Sequence, residues 1–281
     1  MKSKLLIVDG HNLLFQMFFG MPARIINKNG IAIQGVLGFV GALNKIIDMI
    51  KPTHVVALFD SEQHNERKEI VEEYKANRID YADVPEAENP FSQLKYVYEA
   101  LDFMSIKHTE VVGYETDDVI ASYAIKYGGD MPCVISSWDS DYFQLINVQV
   151  NVLRYRGKTT TLCDVEFIRN KFGIEPEVYA DFKSLTGDKA DNIKGADKVG
   201  VKTAAKLLNQ FGNLKNVLEH AEQIAKPSIQ KSIIENSDRL RKNYQVIKLT
   251  DRAVIPFALD ELEYQVERFK TNDILAGIGL K

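Results

Sequence analysis

The chain has 281 residues, of which 45% are hydrophobic and 26% charged, and its formal net charge is −4. This composition is ordinary for a globular protein. No stretch approaches the roughly 20 apolar residues that a membrane-spanning helix needs, and the N-terminus lacks the cleavage site of a secretion signal. We therefore expect a cytoplasmic protein with no membrane partner. The negative charge argues against nucleic acid as a partner, unless the acids share bound cations and basic residues cluster locally.

The cysteines and histidines do not indicate a zinc site. Cys133 and Cys163 stand far apart in the chain and lack the paired spacing of zinc ligands. The five histidines are scattered, and no two lie four residues apart beside a glutamate. We expect both cysteines to be ordinary reduced residues, as in a cytosolic protein.

Short apolar runs alternate with helical patterns in the first half of the chain. This alternation predicts an α/β fold with a mostly parallel sheet flanked by helices. Beyond about residue 160 short helices joined by Gly- and Lys-rich turns follow, so we expect an α/β core over residues 1–160 and a helical region over 161–281. The predicted strands are Leu5–Val8, His54–Phe59, His108–Val112 and Cys133–Ile135; the predicted helices are Gly35–Ile50, Phe91–Phe103, Asp117–Tyr127, Lys202–Leu208, Leu214–Ile233 and Asp238–Leu249.

The segment over about 61–90 is unusually polar and carries little apolar surface to bury. Such an insert usually projects from the fold and moves or becomes ordered on binding. A solvated surface helix and loop is the plainer interpretation, and the sequence of this segment alone leaves both open.

Carboxylates follow all four predicted strands. The carboxyl ends of parallel strands form a common edge, where ligands bind. Acids gathered there would raise one another's pKa values unless cations were bound, and hard ions such as Mg²⁺ or Mn²⁺ suit carboxylate ligands. Each acid alone could be a loop residue or a helix cap, but the repeated placement predicts a metal site. These acids are Asp9, Asp60, Glu115, Asp117, Asp118, Asp139 and Asp141.

Two further acids, Asp188 and Asp191, are three residues apart and can face the same way from one helical turn. If they face the same crevice, the site has enough ligands for two metal ions. Two such ions can activate a water molecule and stabilise the leaving oxygen of a phosphoryl displacement.

The same segment predicts a helix–hairpin–helix over about 183–210. Its glycines and short turn would expose backbone N–H groups at the start of a helix, which is an anion-binding arrangement, and lysines add positive charge. Such an element holds a phosphate backbone without reading bases. The residues expected to contact DNA here are Lys194, Gly195, Lys198, Gly200, Lys202 and Thr203.

Taken together, these motifs resemble the bacterial and phage 5′–3′ exonuclease (flap endonuclease) family, which includes the N-terminal nuclease domain of DNA polymerase I. The resemblance covers about residues 4–210, and we expect a free-standing member of the family. It is carried by IVDGHNLLFQ around Asp9, FD at Asp60, EEYKANR ending at Arg78, ETDD at Glu115–Asp118, SSWDSDYFQL at Ser136–Leu145, and TGDKADNIKG at Thr186–Gly195 followed by GVKTAAKLL.

The resemblance implies a PIN-like 5′ nuclease fold with two divalent ions, Mg²⁺ or Mn²⁺, and K⁺ held by backbone oxygens of the hairpin. The polar segment would form an arch over the active site, through which a 5′ single strand passes. There Lys75 would approach the scissile phosphate, Arg67 and Arg78 would contact phosphates, and Tyr74 would stack on a base. The implied ligands are Asp9, Asp60, Glu115, Asp117 and Asp118 for the first ion, and Asp139, Asp141, Asp188 and Asp191 for the second.

Three features depart from the family pattern. Gln16 stands where the family often has arginine, so one phosphate contact is missing. Trp138 replaces a small residue and is expected to pack beside Asp139 rather than to serve as a platform for a base. The hairpin reads IKGADKVG, without the usual prolines. None of these changes removes a predicted metal ligand.

The function implied is that of a structure-specific 5′ nuclease, a monomer acting on RNA-primed 5′ ends and flaps of DNA with a separate polymerase and ligase. A DNA junction-binding protein with little catalysis is the main alternative. An RNase of the PIN type and a phosphatase for free nucleotides are two others. The intact acids argue against the first alternative, and the hairpin argues against the other two.

Overall fold

A six-stranded sheet forms the centre of the protein. The computed structural model describes residues 3–21, 23–61, 70–71, 73–77, 79–265 and 269–281. The strands of the sheet are β1 Leu5–Asp9, β2 His54–Asp60, β3 Lys107–Val111, β4 Cys133–Ser136, β5 Val150–Arg154 and β6 Thr161–Cys163.

The sheet has the order β3-β2-β1-β4-β5-β6, in which all neighbours are parallel except β5 and β6. This arrangement confirms the predicted α/β fold with a mostly parallel sheet. It also brings the carboxyl ends of β1 to β4 to one edge, because parallel strands end on the same side.

Helices cover both faces of the sheet. Their bounds are α1 Gly10–Gly20, α2 Gln34–Ile50, α3 Leu94–Phe103, α4 Thr116–Tyr127, α5 Val165–Phe172, α6 Tyr179–Thr186, α7 Val201–Phe211, α8 Leu214–Glu219, α9 Pro227–Glu235, α10 Ser237–Ile247 and α11 Thr271–Gly277. Within the described ranges, none of these helices is long and apolar enough to cross a membrane.

The two cores follow from the alternation of side chains along each strand. In β1, Leu5 and Ile7 belong to the cluster that also contains residues of α4 to α9, whereas Leu6 and Val8 belong to the cluster with α1, α2, α3 and α11. All four side chains are fully buried. Because both faces of the strand are covered, its sequence is a continuous apolar run rather than an alternating one.

The predicted strands and the helices between them are confirmed to within a few residues. The single predicted helix Leu214–Ile233 is wrong, because α8 ends at Glu219 and α9 begins only at Pro227. Proline has no N–H group to donate and its fixed φ suits the first position of a helix, so it begins a new helix here. The sequence analysis also missed β5 and β6.

The residues after α10 pack back on the sheet. The backbone N–H of Tyr264 donates to the Thr53 carbonyl at 2.8 Å, beside the start of β2. The Asn44 amide on α2 donates to the Phe269 carbonyl at 3.2 Å. In the described structure Cys133 and Cys163 are free thiols, and both are buried.

Candidate functional site

The predicted acids lie at the carboxyl ends of the strands. Asp9 is the last residue of β1 and caps α1, because its Oδ1 accepts the N–H of Asn12 at 3.1 Å. Asp60 ends β2, and Asp117 lies in the first turn of α4. Asp139 follows β4. Short strand-to-helix connections therefore deliver each carboxylate to the same crevice.

The first group consists of Asp9, Asp60, Glu115 and Asp117, and a tyrosine hydroxyl bridges two of these acids. The Tyr142 hydroxyl lies 2.5 Å from Oδ1 of Asp117 and 3.4 Å from Oδ2 of Asp9. The Ser137 hydroxyl donates to the same Asp9 oxygen at 2.8 Å. Burial, followed by the charges of Asp117 and Asp60, raises the pKa of Asp9 well above its ordinary value. The first group thus holds more negative charge than its immediate surroundings offset.

Asp60 has the opposite shift, because His11, Thr116 and Lys75 favour its charged form. Its side chain is 56% exposed, and its Oδ2 lies 3.6 Å from Nδ1 of His11. Desolvation alone would raise the pKa of Asp60, but contacts with His11 and Thr116 and the charge of Lys75 lower it to about 2. Asp60 is therefore ionised at neutral pH.

Lys75 lies beside the first group. Its Nζ is 3.5 Å from Oε1 of Glu115 and 3.9 Å from Oδ2 of Asp117. Its backbone N–H donates to the Asp191 carbonyl at 3.0 Å, and its φ of 56° is unusual for a residue other than glycine. The polar segment therefore does reach the crevice at this residue, and a left-handed backbone conformation directs it there.

The second group consists of Asp139, Asp141, Asp188 and Asp191. Oδ1 of Asp139 accepts the N–H of Asp141 at 2.8 Å. The ammonium group of Lys183 forms ion pairs with both Asp141 and Asp188. Asp188 also accepts the N–H of Ala190 at 2.8 Å.

The pKa shifts divide the second group in two. Burial raises the pKa of Asp139 and of Asp141, and neighbouring acids, Asp191 among them, add to it, whereas Lys183 opposes it. For Asp188, desolvation is outweighed by Lys183 and by backbone N–H groups, so the pKa is lowered. The charge of Asp191 thus acts on Asp139 and Asp141. The four acids predicted for the second ion therefore lie near one another.

The donor chemistry of the crevice fits divalent cations, although two lysines now lie among the carboxylates. Buried acids with raised pKa values are the ligand set that hard cations neutralise. Across residues 3–21, 23–61, 70–71, 73–77, 79–265 and 269–281, no three His, Cys, Asp or Glu side chains already lie in a metal-binding arrangement. For an ion to bind, the contacts of these carboxylates with Lys75 and Lys183 would have to rearrange.

Asp118 differs from the other predicted ligands. Its Oδ1 accepts the backbone N–H of Thr250 at 2.9 Å, and its side chain is buried. This bond links α4 to the segment after α10.

The polar segment requires one correction, at Tyr74. The ring is 2% exposed and packs against Ala180, Ile193 and Val246. It therefore anchors the segment to α6 and α10 and offers no open face on which a base could stack. Arg67 and Arg78, the other predicted contacts in this segment, lie outside the described residues.

The predicted hairpin is present. β7 Gly187–Asp188 pairs with β8 Ile193–Lys194, and α7 follows with Gly200 as its N-terminal cap. The side chains of Lys194, Lys198 and Lys202 are exposed, as a phosphate-binding surface requires. Thr203 lies in the first turn of α7 and is half-buried.

Gly195 is a second correction, because it is buried rather than exposed. A Cβ at this position would lie 2.4 Å from the Gly187 nitrogen, and one at Gly187 would lie 2.5 Å from the Gly195 nitrogen. The Gly195 carbonyl accepts a hydrogen bond from Arg239 at 2.8 Å. Glycine is needed here for close backbone packing, not for contact with DNA.

Gln16 and Trp138, which depart from the family pattern, donate hydrogen bonds to the same backbone carbonyl. The Trp138 indole N–H donates to the Tyr155 carbonyl at 2.9 Å, and the Gln16 amide donates to the same oxygen at 2.5 Å. The guanidinium of Arg154 lies 5.5 Å from the Trp138 ring. Trp138 is thus a packing residue beside Asp139, as predicted.

Sequence analysis missed Lys183, Tyr142 and Ser137. Lys183 did carry a signal, because a lysine within the mainly apolar run YADFKSL of a buried helix needs an acidic partner. Tyr142 and Ser137 flank the acids of SSWDSDY, but nothing in the sequence showed that their hydroxyls would turn toward Asp9.

Comparisons with known proteins agree over nearly the whole chain. Residues 4–173 match the family model of the 5′-3′ exonuclease N-terminal resolvase-like domain, and residues 174–270 match the model of the 5′-3′ exonuclease C-terminal SAM fold. The chain is 33% identical over 270 residues to DNA polymerase I of Bacillus caldotenax, covering 95% of this chain. It is 32% identical over 260 residues to thermostable DNA polymerase I of Thermus thermophilus, covering 92%. The chain spans 30% of the length of each of these relatives.

Two solved structures share the fold. T5 5′-exonuclease with bound zinc ions gives a TM-score of 0.73 at 23% identity, covering 98% of this chain and 100% of that one. The catalytic core of Rad2 in complex with DNA substrate gives a TM-score of 0.62 at 17% identity, covering 99% and 93%.

Proposed function

The chain belongs to the 5′-3′ exonuclease family, and from this premise we propose that it hydrolyses phosphodiester bonds in DNA carrying a 5′ end or a 5′ flap. The observation that carries the proposal is the convergence of acids from four strand ends beside a lysine-bearing hairpin. The acids suit a pair of divalent cations, and the hairpin suits a phosphate backbone. A small-molecule phosphatase would have no use for the hairpin.

Each part of the site has a task in this reaction. Divalent cations, when bound by the carboxylates, would supply an activated water molecule and offset the charge of the leaving oxygen. Lys75 places a positive charge at the crevice, where charge develops on the scissile phosphate. Tyr142 and Ser137 hold Asp9 and Asp117 in fixed orientations. The exposed lysines of the hairpin bind the duplex through its phosphates, without sequence preference.

The cellular setting follows from this activity. The substrates are RNA-primed 5′ ends and flaps left by lagging-strand synthesis, and a DNA polymerase and a ligase act before and after the cut. We propose Mg²⁺ or Mn²⁺ as the cofactors, K⁺ in the hairpin, and a monomer acting in the cytoplasm.

Cleavage of a 5′-labelled flap DNA in Mg²⁺, Mn²⁺ or EDTA tests the proposal. Wild type is compared with Asp188→Ala and Lys75→Ala, and binding of the same DNA is measured in parallel. We expect metal-dependent release of the flap, lost in Asp188→Ala, which still binds the DNA, and strongly reduced in Lys75→Ala. Tight binding of the flap DNA by wild type, without cleavage in either metal, would overturn the proposed nuclease activity and favour a DNA junction-binding protein.

A further inference from the structure

Lys183 is a buried cation that the proposed mechanism does not use. It lies in the middle of α6 and is 5% exposed. Its ammonium group forms ion pairs with Oδ1 of Asp141, in the segment after β4, and with Oδ2 of Asp188, in the hairpin. Burying an ammonium group is costly unless acids pair with it, so its position is tied to these two carboxylates.

The charge of Lys183 acts on three acids of the second group. Burial alone would lower the pKa of Lys183, but Asp141, Asp188 and Asp139 outweigh burial and raise it. Among the described residues, Lys183 is the lysine that forms ion pairs with Asp141 and Asp188. The lysine is therefore the counter-charge of the second group in the arrangement seen here.

A divalent cation bound by Asp141 and Asp188 would use the same carboxylate oxygens. Two cations cannot share those oxygens at close range without strong mutual repulsion. Either the ammonium group moves away when the ion arrives, or the ion binds more weakly than it would without the lysine.

We propose that Lys183 is a positioning residue with two effects. Before metal binds, it holds Asp141 and Asp188 together; when metal binds, it competes for their oxygens and weakens the second ion relative to the first. The inference rests on the proposed function, because it assumes that the acids bind divalent ions. It predicts that the two ions bind unequally in the wild-type protein.

Lys75 does not duplicate this role. It contacts Glu115 and Asp117 of the first group at 3.5 and 3.9 Å, and it comes from the polar segment rather than from a helix of the core. Lys183 can leave its acids only by changing its own rotamer inside α6.

The test is Mn²⁺ binding to the metal-free full chain, measured by titration calorimetry, together with thermal unfolding in EDTA. The variant is Lys183→Met, which keeps the length of the side chain and removes its charge. The matched control is Lys189→Met, which removes the same charge from an exposed position in the same segment. Lys183→Arg restores a cation.

In Lys183→Met we expect the weaker of the two Mn²⁺ sites to bind the ion at least about tenfold more tightly than in wild type. Its melting temperature in EDTA should fall, and Mn²⁺ should recover it. Lys189→Met should match wild type in both measurements, and Lys183→Arg should return both toward wild type. If Lys183→Met folds only with Mn²⁺ present, its unfolding on chelation, where wild type stays folded, supports the same conclusion.

Two negative results have different meanings. Wild type that binds Mn²⁺ while Lys183→Met shows unchanged affinities overturns the competition and leaves the nuclease intact. Wild type that binds no Mn²⁺ at all overturns the metal part of the proposed function, and this inference with it.

Discussion

The two carboxylate groups of the crevice are each accompanied by one lysine, but the lysines are held differently. Lys75 lies in the polar segment, and its ammonium group is 3.5 Å from the closest acid oxygen of the first group. Lys183 lies inside α6 and pairs directly with two acids of the second group. Lys75 lies in a segment that the buried Tyr74 anchors to α6 and α10, whereas Lys183 lies within a buried helix itself.

This difference gives the positive charges of Lys75 and Lys183 different roles. The Lys75 ammonium group lies at the crevice, 3.5 and 3.9 Å from oxygens of Glu115 and Asp117, where a substrate phosphate can attract it. Lys183 is buried and paired with two acids, so its charge acts on those acids and on an ion that they bind. We therefore expect changes at Lys75 to affect cleavage, and changes at Lys183 to affect metal binding and stability.

The largest expected effect comes from removing one acid of each group. Asp117→Asn and Asp188→Asn should each reduce cleavage by more than about 1,000-fold, because several kcal/mol of charge stabilisation by metal are lost. Single-turnover cleavage of flap DNA measures both. Equal losses of cleavage rate would show that both groups of acids are needed to the same extent. A wild-type rate in either variant would show that its group takes no part in catalysis.

Lys75→Ala should reduce cleavage by about 100-fold, because the charge facing the scissile phosphate is lost. The melting temperature should stay close to that of wild type, unlike that of Lys183→Met. Lys95→Ala is the matched control, since Lys95 is exposed on α3 and pairs with Glu99. Cleavage by Lys75→Ala at the control's rate would contradict the role of this lysine.

Tyr142→Phe should reduce cleavage by about tenfold, a loss of about 1.4 kcal/mol, because hydrogen bonds to charged groups contribute in this range. The hydroxyl bridges Asp117 and Asp9 within the first group. Tyr179→Phe provides a comparison, since Tyr179 is buried in the same cluster but its hydroxyl contacts Ser140. An equal effect of both changes on the cleavage rate would show that the Tyr142 bridge is not used.

The smallest effect is expected at the hairpin. Lys202→Ala should weaken DNA binding by about twofold to fivefold, since a single exposed contact contributes less than about 1 kcal/mol. The slope of log affinity against log salt should become less steep by about 0.9, the value for one lost phosphate contact. Fluorescence anisotropy over a salt series measures both. An unchanged slope would place Lys202 away from the DNA.

Much of the fold could be predicted because its signals are local. Continuous apolar runs such as Leu5–Val8 identify strands buried on both faces, and the helical period of α2 identifies an amphipathic helix. The hairpin was predicted from the spacing of its glycines and lysines. The strand β5 was missed because Asn151 interrupts its apolar run, and β6 because it has three residues, of which the first two are exposed.

The candidate site was predicted from topology rather than from any single residue. Acids after successive parallel strands must share an edge, so Asp9 and Asp139 could be brought together from the sequence alone. The burial of Tyr74 could not be predicted, because it depends on Ile193 and Val246, which lie far along the chain. The sequence EEYKANR is polar, so a tyrosine within it is expected to be exposed. Tyr74 is buried because α10 packs against it.

By itself the sequence determined the class of the fold, the set of acids and the family, since these depend on residue types and their order. Only the tertiary structure decided which cation faces which acid. Ion pairs such as Lys183 with Asp141 and Asp188 join a helix, a strand end and a hairpin through the last few ångströms of side-chain geometry. Spacing along the chain does not encode those distances, because the packing of α6 against the segment after β4 and against the hairpin sets them.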